Sequence, residues 1–198
     1  MITAMLALLA NAATPSIVDA ERHFAALAQE IGQWRAFERT AAAEAVILIP
    51  QPVPALEWLK GKADPPRSAN WQPAAAYLSC DGSTGATIGP WQRPTSVGYF
   101  ATVWSRETGE WRWKVDMGDV LKTAWEIPPA EPKVRKASCA RAKPARLPAA
   151  ANLKSASGWS RDHSLQWSWE SDKGTARLVV MLWNGRSYER VIDKVLTN

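Results

Sequence analysis

The chain predicts an α+β protein: N-terminal helices, a curved antiparallel sheet wrapped around them, and a small three-stranded β extension at the C-terminus. Three observations carry this. Ile17, Ala20, Phe24, Leu27, Ala28 and Ile31 recur at helical spacing. From Trp71 onward the apolar period changes to two. After a stretch rich in Pro, Ala, Lys and Arg, the period of two returns from about Trp159.

The first helix opens at Thr14-Pro15-Ser16-Ile17-Val18-Asp19. A hydroxyl residue there can cap it, and Ser16-x-x-Asp19 approximates a capping box. Gly32 ends or bends it, and a second helix over about Gln33–Ala41 presents Trp34 and Phe37. Ala45–Ile49 is a β-branched apolar run stopped by Pro50, which predicts a short buried strand. Gln51–Pro54 reads as a break, and Ala55–Gly61 as a short helix with Gly61 at its C-terminal cap. Two hairpins follow. Ala74–Cys80 and Thr84–Trp91 flank an Asp81-Gly82 turn, and Gly98–Asp119 folds back at Glu107–Glu110. In the last strand, strict alternation puts Trp111, Trp113 and Val115 on one face and Arg112, Lys114 and Asp116 on the other. Val120–Glu126 reads as a brief helical turn. Leu165–Glu170, Thr175–Trp183 and Ser187–Val195 form the extension, with Asn184-Gly185 its strongest turn signal. Three strands make a marginal core, so the extension is expected to pack on the main domain.

Composition fits a soluble globular chain, 46% hydrophobic and 22% charged, with 12 tryptophans that suggest an aromatic-walled interior. The net charge of +5 is uneven: −2 over residues 1–119, +6 over 120–158 and +1 over 159–198. The basic segment reads as a solvated linker, because no aromatic–basic motif supports nucleic-acid binding. The expected organisation is a signal peptide over 1–13, the α+β domain over 14–126, the basic Pro/Ala-rich linker over 127–158 and the extension over 159–198. The signal rests on the apolar run Ile2–Ala10 followed by small residues, although no Lys or Arg precedes it. That run is too short for a permanent membrane anchor. A periplasmic or secreted location follows, and an exported chain with two cysteines is expected to bridge Cys80 to Cys139 rather than keep two thiols. No spacing suggests a metal site or any cofactor.

The element order, together with Ala20-Glu21-Arg22-x-Phe24, Trp34-Arg35-Ala36-Phe37, Ala45-Val46, Ser79-Cys80-Asp81-Gly82, Gly89-Pro90-Trp91, Gly98-Tyr99-Phe100, Val103-Trp104 and Trp111-Arg112-Trp113, resembles the SnoaL-like members of the nuclear transport factor 2-like superfamily. The resemblance covers about half of the chain, Asp19 to Asp119. It implies a cone with an apolar pocket, here walled by Trp34, Phe37, Trp58, Trp71, Trp91, Trp104 and Trp113. It also implies dimers formed through the convex sheet face, a face that the C-terminal extension would occupy in a monomer. Relatives include ketosteroid isomerases, dehydratases, cyclases, epoxide hydrolases and plain binding modules, and fold alone does not choose among them.

The catalytic candidate is Asp116, whose carboxyl would have a raised pKa in an aromatic-lined cone and could take a proton next to a carbonyl. Against this stands a surface pair of Lys114 and Asp116 facing water. Tyr99 is the candidate oxyanion donor, or an ordinary sheet tyrosine. His23 reads as a helix-border residue. Two readings of function follow. One is an exported binding or interaction module with an apolar small-molecule pocket, favoured because the Asp–His and Asp–Arg–Asp sets of enzymatic relatives are missing. The other is a cofactor-independent isomerase, dehydratase or hydrolase of an apolar carbonyl or ring substrate, using Asp116 with Tyr99.

Overall fold

The structure is a computed structural model that describes residues 15–106, 109–125, 130–142 and 153–197. The expected signal peptide and part of the 107–110 turn lie outside these residues. In chain order the elements are α1 (Ile17–Ile31), α2 (Gln33–Thr40), β1 (Ala41–Ile49), β2 (Gln51–Pro54), α3 (Ala55–Leu59), β3 (Asn70–Trp71), β4 (Ala75–Leu78), β5 (Thr84–Arg93), β6 (Ser96–Arg106), β7 (Trp111–Leu121), β8 (Lys133–Lys136), β9 (Lys154–Trp159), β10 (Leu165–Asp172), β11 (Thr175–Trp183) and β12 (Tyr188–Thr197).

The capping box forms at α1. The Ser16 hydroxyl accepts the Asp19 N–H at 3.1 Å, and the Asp19 carboxylate accepts the Ser16 N–H at 3.0 Å. Gly32, at φ 105°, turns the chain from α1 into α2, and the Asp64 carboxylate takes the Trp34 N–H and the Arg35 Nε–H at the start of α2. Burial pushes the Asp64 carboxyl up, but these donors outweigh it and hold it below the usual range.

The first sheet runs β2-β1-β7-β6-β5-β4-β8, with β3 also paired to β5. It is antiparallel except at β1–β7 and β4–β8. The two faces of β6 show how it is used. Phe100 and Trp104 pack inward against α1 and α2, while Ala101 and Val103 pack outward. The second sheet, β12-β11-β10-β9, lies on that outer face through Leu165, Trp169, Leu178 and Val180. The extension therefore covers the convex side of the cone.

Five expectations change. The extension has four strands, because β9 pairs with β10 from Trp159↔Gln166 to Lys154↔Ser171. The 127–158 segment contributes β8 to the first sheet and β9 to the second. Gln51–Pro54 is an edge strand, where prolines cost no ladder bond, and β1 starts earlier, at Ala41. Residues 120–121 continue β7 rather than starting a helical turn.

Cys80 and Cys139 form a disulfide across a sequence separation of 59, with Cα atoms 5.1 Å apart. Closing a loop of that length contributes about 4 kcal/mol in the chain-entropy model. Beside the bridge, Ser138 donates its N–H to the Trp183 carbonyl at 2.8 Å, tying the segment after β8 to the second sheet. Among the described residues no helix is long and apolar enough to cross a membrane.

Candidate functional site

Between the helices and the inner face of the first sheet lies a cavity of about 240 Å³. Trp34 and Phe37 from α2, Trp58 from α3, Trp71 from β3, Trp91 from β5 and Phe100 from β6 wall it. Trp34, Phe37, Trp58 and Trp71, with Phe24 of α1, meet edge to face, with Phe24–Trp71 centroids at 5.0 Å and Trp34–Trp58 at 5.2 Å. Lys62 Nζ lies 3.5 Å from the Trp58 ring centroid. Trp91 lies across Gly98 of the neighbouring strand, where a Cβ would collide with its ring. Val120, Ser96 and Arg93 also line the cavity, and Val120 is 61% exposed, which places it at the mouth.

Two carboxyl groups also line this apolar space. Glu21 projects from the buried face of α1 and is wholly buried. Its Oε1 accepts the Trp71 Nε1–H at 2.7 Å; its Oε2 accepts the Thr87 hydroxyl at 2.6 Å and the Trp104 Nε1–H at 3.1 Å. Burial raises the Glu21 carboxyl to about 7, against these three donors, which favour its charged form. The sequence reading missed Glu21. The signal was a charged residue at position 21, four after Ile17 and three before Phe24, on the apolar stripe itself.

Asp116 is 8% exposed and comes from β7. Thr102, its partner across the ladder, donates its hydroxyl to Oδ2 at 2.7 Å, the only hydrogen bond of this carboxyl among the described residues. Burial pushes the Asp116 carboxyl up to about 8; the Thr102 bond opposes that, and the charge of Glu21 adds to it.

The face of Asp116 is set by a β-bulge. Trp113 pairs with Trp104 and Val115 with Val103, so Lys114 is an extra residue in β7. Strict alternation breaks there. Trp111, Trp113 and Asp116 share the inner side, while Val115 and Met117 face the second sheet. The expected grouping of Val115 with the two tryptophans and of Asp116 with Lys114 is therefore corrected. Lys114 instead pairs with Glu44 on β1.

The other candidates fall in different places. Tyr99 lies on the outer face of β6, donates to the Val195 carbonyl at 3.2 Å and sits under Lys194, so it does not join Asp116. Burial raises the Tyr99 phenol to about 12. Trp34, Phe37, Trp58, Trp71 and Trp91 reach the cavity. Trp104 and Trp113 are packed behind it, the first on Glu21 and the second donating to the Phe37 carbonyl at 3.1 Å. His23 is exposed on α1. Among the described residues no group of three His, Cys, Asp or Glu side chains could hold a metal ion.

No protein-family model and no curated protein matches the chain. Solved structures do. A protein of unknown function of the DUF3225 family from Pectobacterium atrosepticum shares 8% identity at a TM-score of 0.39, over 52% of this chain and 87% of that one. An NTF-2-like protein of unknown function from Silicibacter pomeroyi shares 14% at 0.38, over 52% and 91%. A proposed ketosteroid isomerase from Kribbella flavida shares 13% at 0.30, over 58% and 87%. In this chain the helices sit against the inner face of a curved, mostly antiparallel sheet, an α+β cone joined to a four-stranded antiparallel sheet.

Proposed function

We propose that the cone is the binding site of an apolar small molecule that presents a neutral oxygen to Asp116. The observation that carries this is a carboxyl with a single hydrogen bond among the described residues, Thr102 to Oδ2, in a cavity walled largely by aromatic and aliphatic side chains. A pKa raised to about 8 keeps Asp116 protonated at neutral pH, so it can donate to a carbonyl or ether oxygen. Glu21 supports this because its two oxygens are already engaged by Trp71, Thr87 and Trp104, which leaves Asp116 as the lining carboxyl with an oxygen to spare among the described residues. The disulfide supports an oxidising compartment, periplasmic or secreted. Titration with a two-ring ketone such as 2-tetralone, followed by tryptophan fluorescence, should give saturable one-to-one binding that Asp116→Ala weakens. Non-saturable quenching, or equal affinity in the variant, would end this reading.

The two carboxyls favour a second reading, a cofactor-independent proton-transfer enzyme of the isomerase or dehydratase class. As a carboxylate, Asp116 would take a proton from the carbon next to a bound carbonyl and return it to the same or a neighbouring carbon. General-base action of this kind contributes on the order of 10²–10⁴-fold. Deuterium exchange into 2-tetralone should then rise with pH towards a plateau above about 8 and vanish in Asp116→Asn. Exchange no faster than buffer would leave the protein a binding module.

A further inference from the structure

The cavity has a cation at its edge that the described protein does not neutralise. Arg93 ends β5 and lines the cavity together with Gln33, Trp91 and Ser96. Its guanidinium makes one long bond, Nη2 to Gln33 Oε1 at 3.3 Å, and that oxygen is already taken by the Ala69 N–H at 3.0 Å. Its carbon lies 5.5 Å from the Trp91 ring centroid. Nε is buried with no hydrogen-bond partner among the described residues, so the guanidinium is only weakly held by the protein. Among the described residues no carboxylate forms an ion pair with it. The other titratable groups lining the cavity are the carboxyls of Glu21 and Asp116.

These charges are separated along the cone. Ser96 stands at the Arg93 end of β6, and Thr102, which marks Asp116, is six residues further along, roughly 20 Å of strand. An anion placed beside Asp116 would lie against two carboxyl groups, Glu21 and Asp116, and repel the ionised form of either. Placed at the Arg93 end, it would meet a planar fork of donors suited to two oxygens at once.

We propose that Arg93 is the specificity-determining residue of the cone. Resting on the binding reading above, it selects apolar acids: molecules with a ring-like body, a carboxylate or sulfonate held by Arg93, and any neutral oxygen turned inward to Asp116. The two Nη groups of Arg93 donate to the anion, and the body lies against Trp91, Phe100 and Trp34. The ligand enters body first.

A matched pair of fluorescent probes tests this on the whole chain: 8-anilinonaphthalene-1-sulfonate, and N-phenyl-1-naphthylamine, the same skeleton without the sulfonate. The wild-type protein should bind the sulfonate at least about tenfold more tightly, and the preference should shrink with added salt. Arg93→Gln should remove the preference while leaving the neutral probe within about twofold, and Arg93→Lys, which keeps the charge but not the fork, should fall between. Val120→Trp, at the exposed rim, should weaken both probes. If both bind and Arg93→Gln leaves their ratio unchanged, the Arg93 assignment is overturned while the binding reading stands. If neither binds, or Val120→Trp alters neither, the binding reading falls and this inference with it.

Discussion

Asp81 and Asp162 each accept the other's main-chain N–H, at 2.9 Å onto Asp162 Oδ2 and 3.2 Å onto Asp81 Oδ2. Each sits in a Ser-x-Asp-x-Ser hairpin turn, Ser79–Ser83 between β4 and β5 and Ser160–Ser164 between β9 and β10. Within each turn both serine hydroxyls donate to the aspartate. Across the pair, Ser164 Oγ accepts the Cys80 N–H at 2.8 Å, and Ser83 Oγ accepts the Arg161 N–H at 3.1 Å. The two turns are thus related by a local two-fold, and they clamp the second sheet to the first beside the Cys80–Cys139 bridge.

That clamp should behave as one unit. Asp81→Ala and Asp162→Ala each leave several N–H and hydroxyl donors without an acceptor, and each should cost about 2–3 kcal/mol. The double variant should cost clearly less than the two together, because both singles break the same network. Burial pushes both carboxyls up, but their hydrogen bonds outweigh it and hold them low. Their contribution is present above the unfolded value near 3.8 and is lost as pH falls through the lower folded values. Urea unfolding of the four proteins decides, and strict additivity would separate the turns.

Glu21→Gln should destabilise the protein although it removes a buried charge. The carboxylate offers Oε1 to Trp71 and Oε2 to Thr87 and Trp104. An amide has one oxygen, and whichever way it turns, its NH2 meets an indole N–H. A loss of about 1–3 kcal/mol is expected. The wild type carries an opposite trend in pH. With the folded value raised to about 7 from 4.5, the native state holds a proton that the unfolded state releases, so stability falls as pH rises across that window. Thermal unfolding between pH 4 and 8 should show that slope, reduced in Glu21→Gln.

The outer face of the cone sheet predicts a monomer. Ala86, Ile88, Ala101, Val103, Val115 and Met117 are buried there under the second sheet, leaving no apolar face for a second cone. Light scattering should give a single chain at micromolar concentration. Leu178→Asp, a charge in the middle of that contact, should expose the face and produce dimers or aggregates, or unfold the chain. A wild-type dimer would mean that another surface pairs.

What the sequence made legible follows which side chains carry a periodic signal. Both hairpins of the cone were readable because turn residues such as Asp81-Gly82 and long apolar-rich strands mark them, and the Ser16–Asp19 box was readable because capping is local. The missed strands are edges. Lys133–Lys136 is exposed along its whole length and Lys154–Trp159 over most of its own, so neither needs an apolar pattern. The bulge at Lys114 hid the site in a different way. One inserted residue reverses every face beyond it, so alternation counted from Trp111 assigns Asp116 to the wrong side. The Ser-x-Asp-x-Ser pair was visible in the sequence, but its meaning depends on two turns 81 residues apart coming into contact.

Asp116→Asn should separate function from stability. Asn keeps an oxygen for the Thr102 hydroxyl, so the ladder and the cavity shape persist. It cannot ionise. In the wild type the folded value near 8 lies above the unfolded 3.8, so between these the unfolded chain binds fewer protons and stability declines as pH rises, levelling off above about 8. The variant lacks that decline. It should match the wild type near pH 4 and exceed it at pH 8 by on the order of a few kcal/mol. A carboxyl retained at such a cost points to use, since a neutral residue would serve packing better. The same variant should bind 2-tetralone yet lose any proton exchange. Denaturant curves at the two pH values provide the check: equal stability at pH 8 would mean that Asp116 ionises without penalty, and the argument that it is a tuned group in a dry cone would fail.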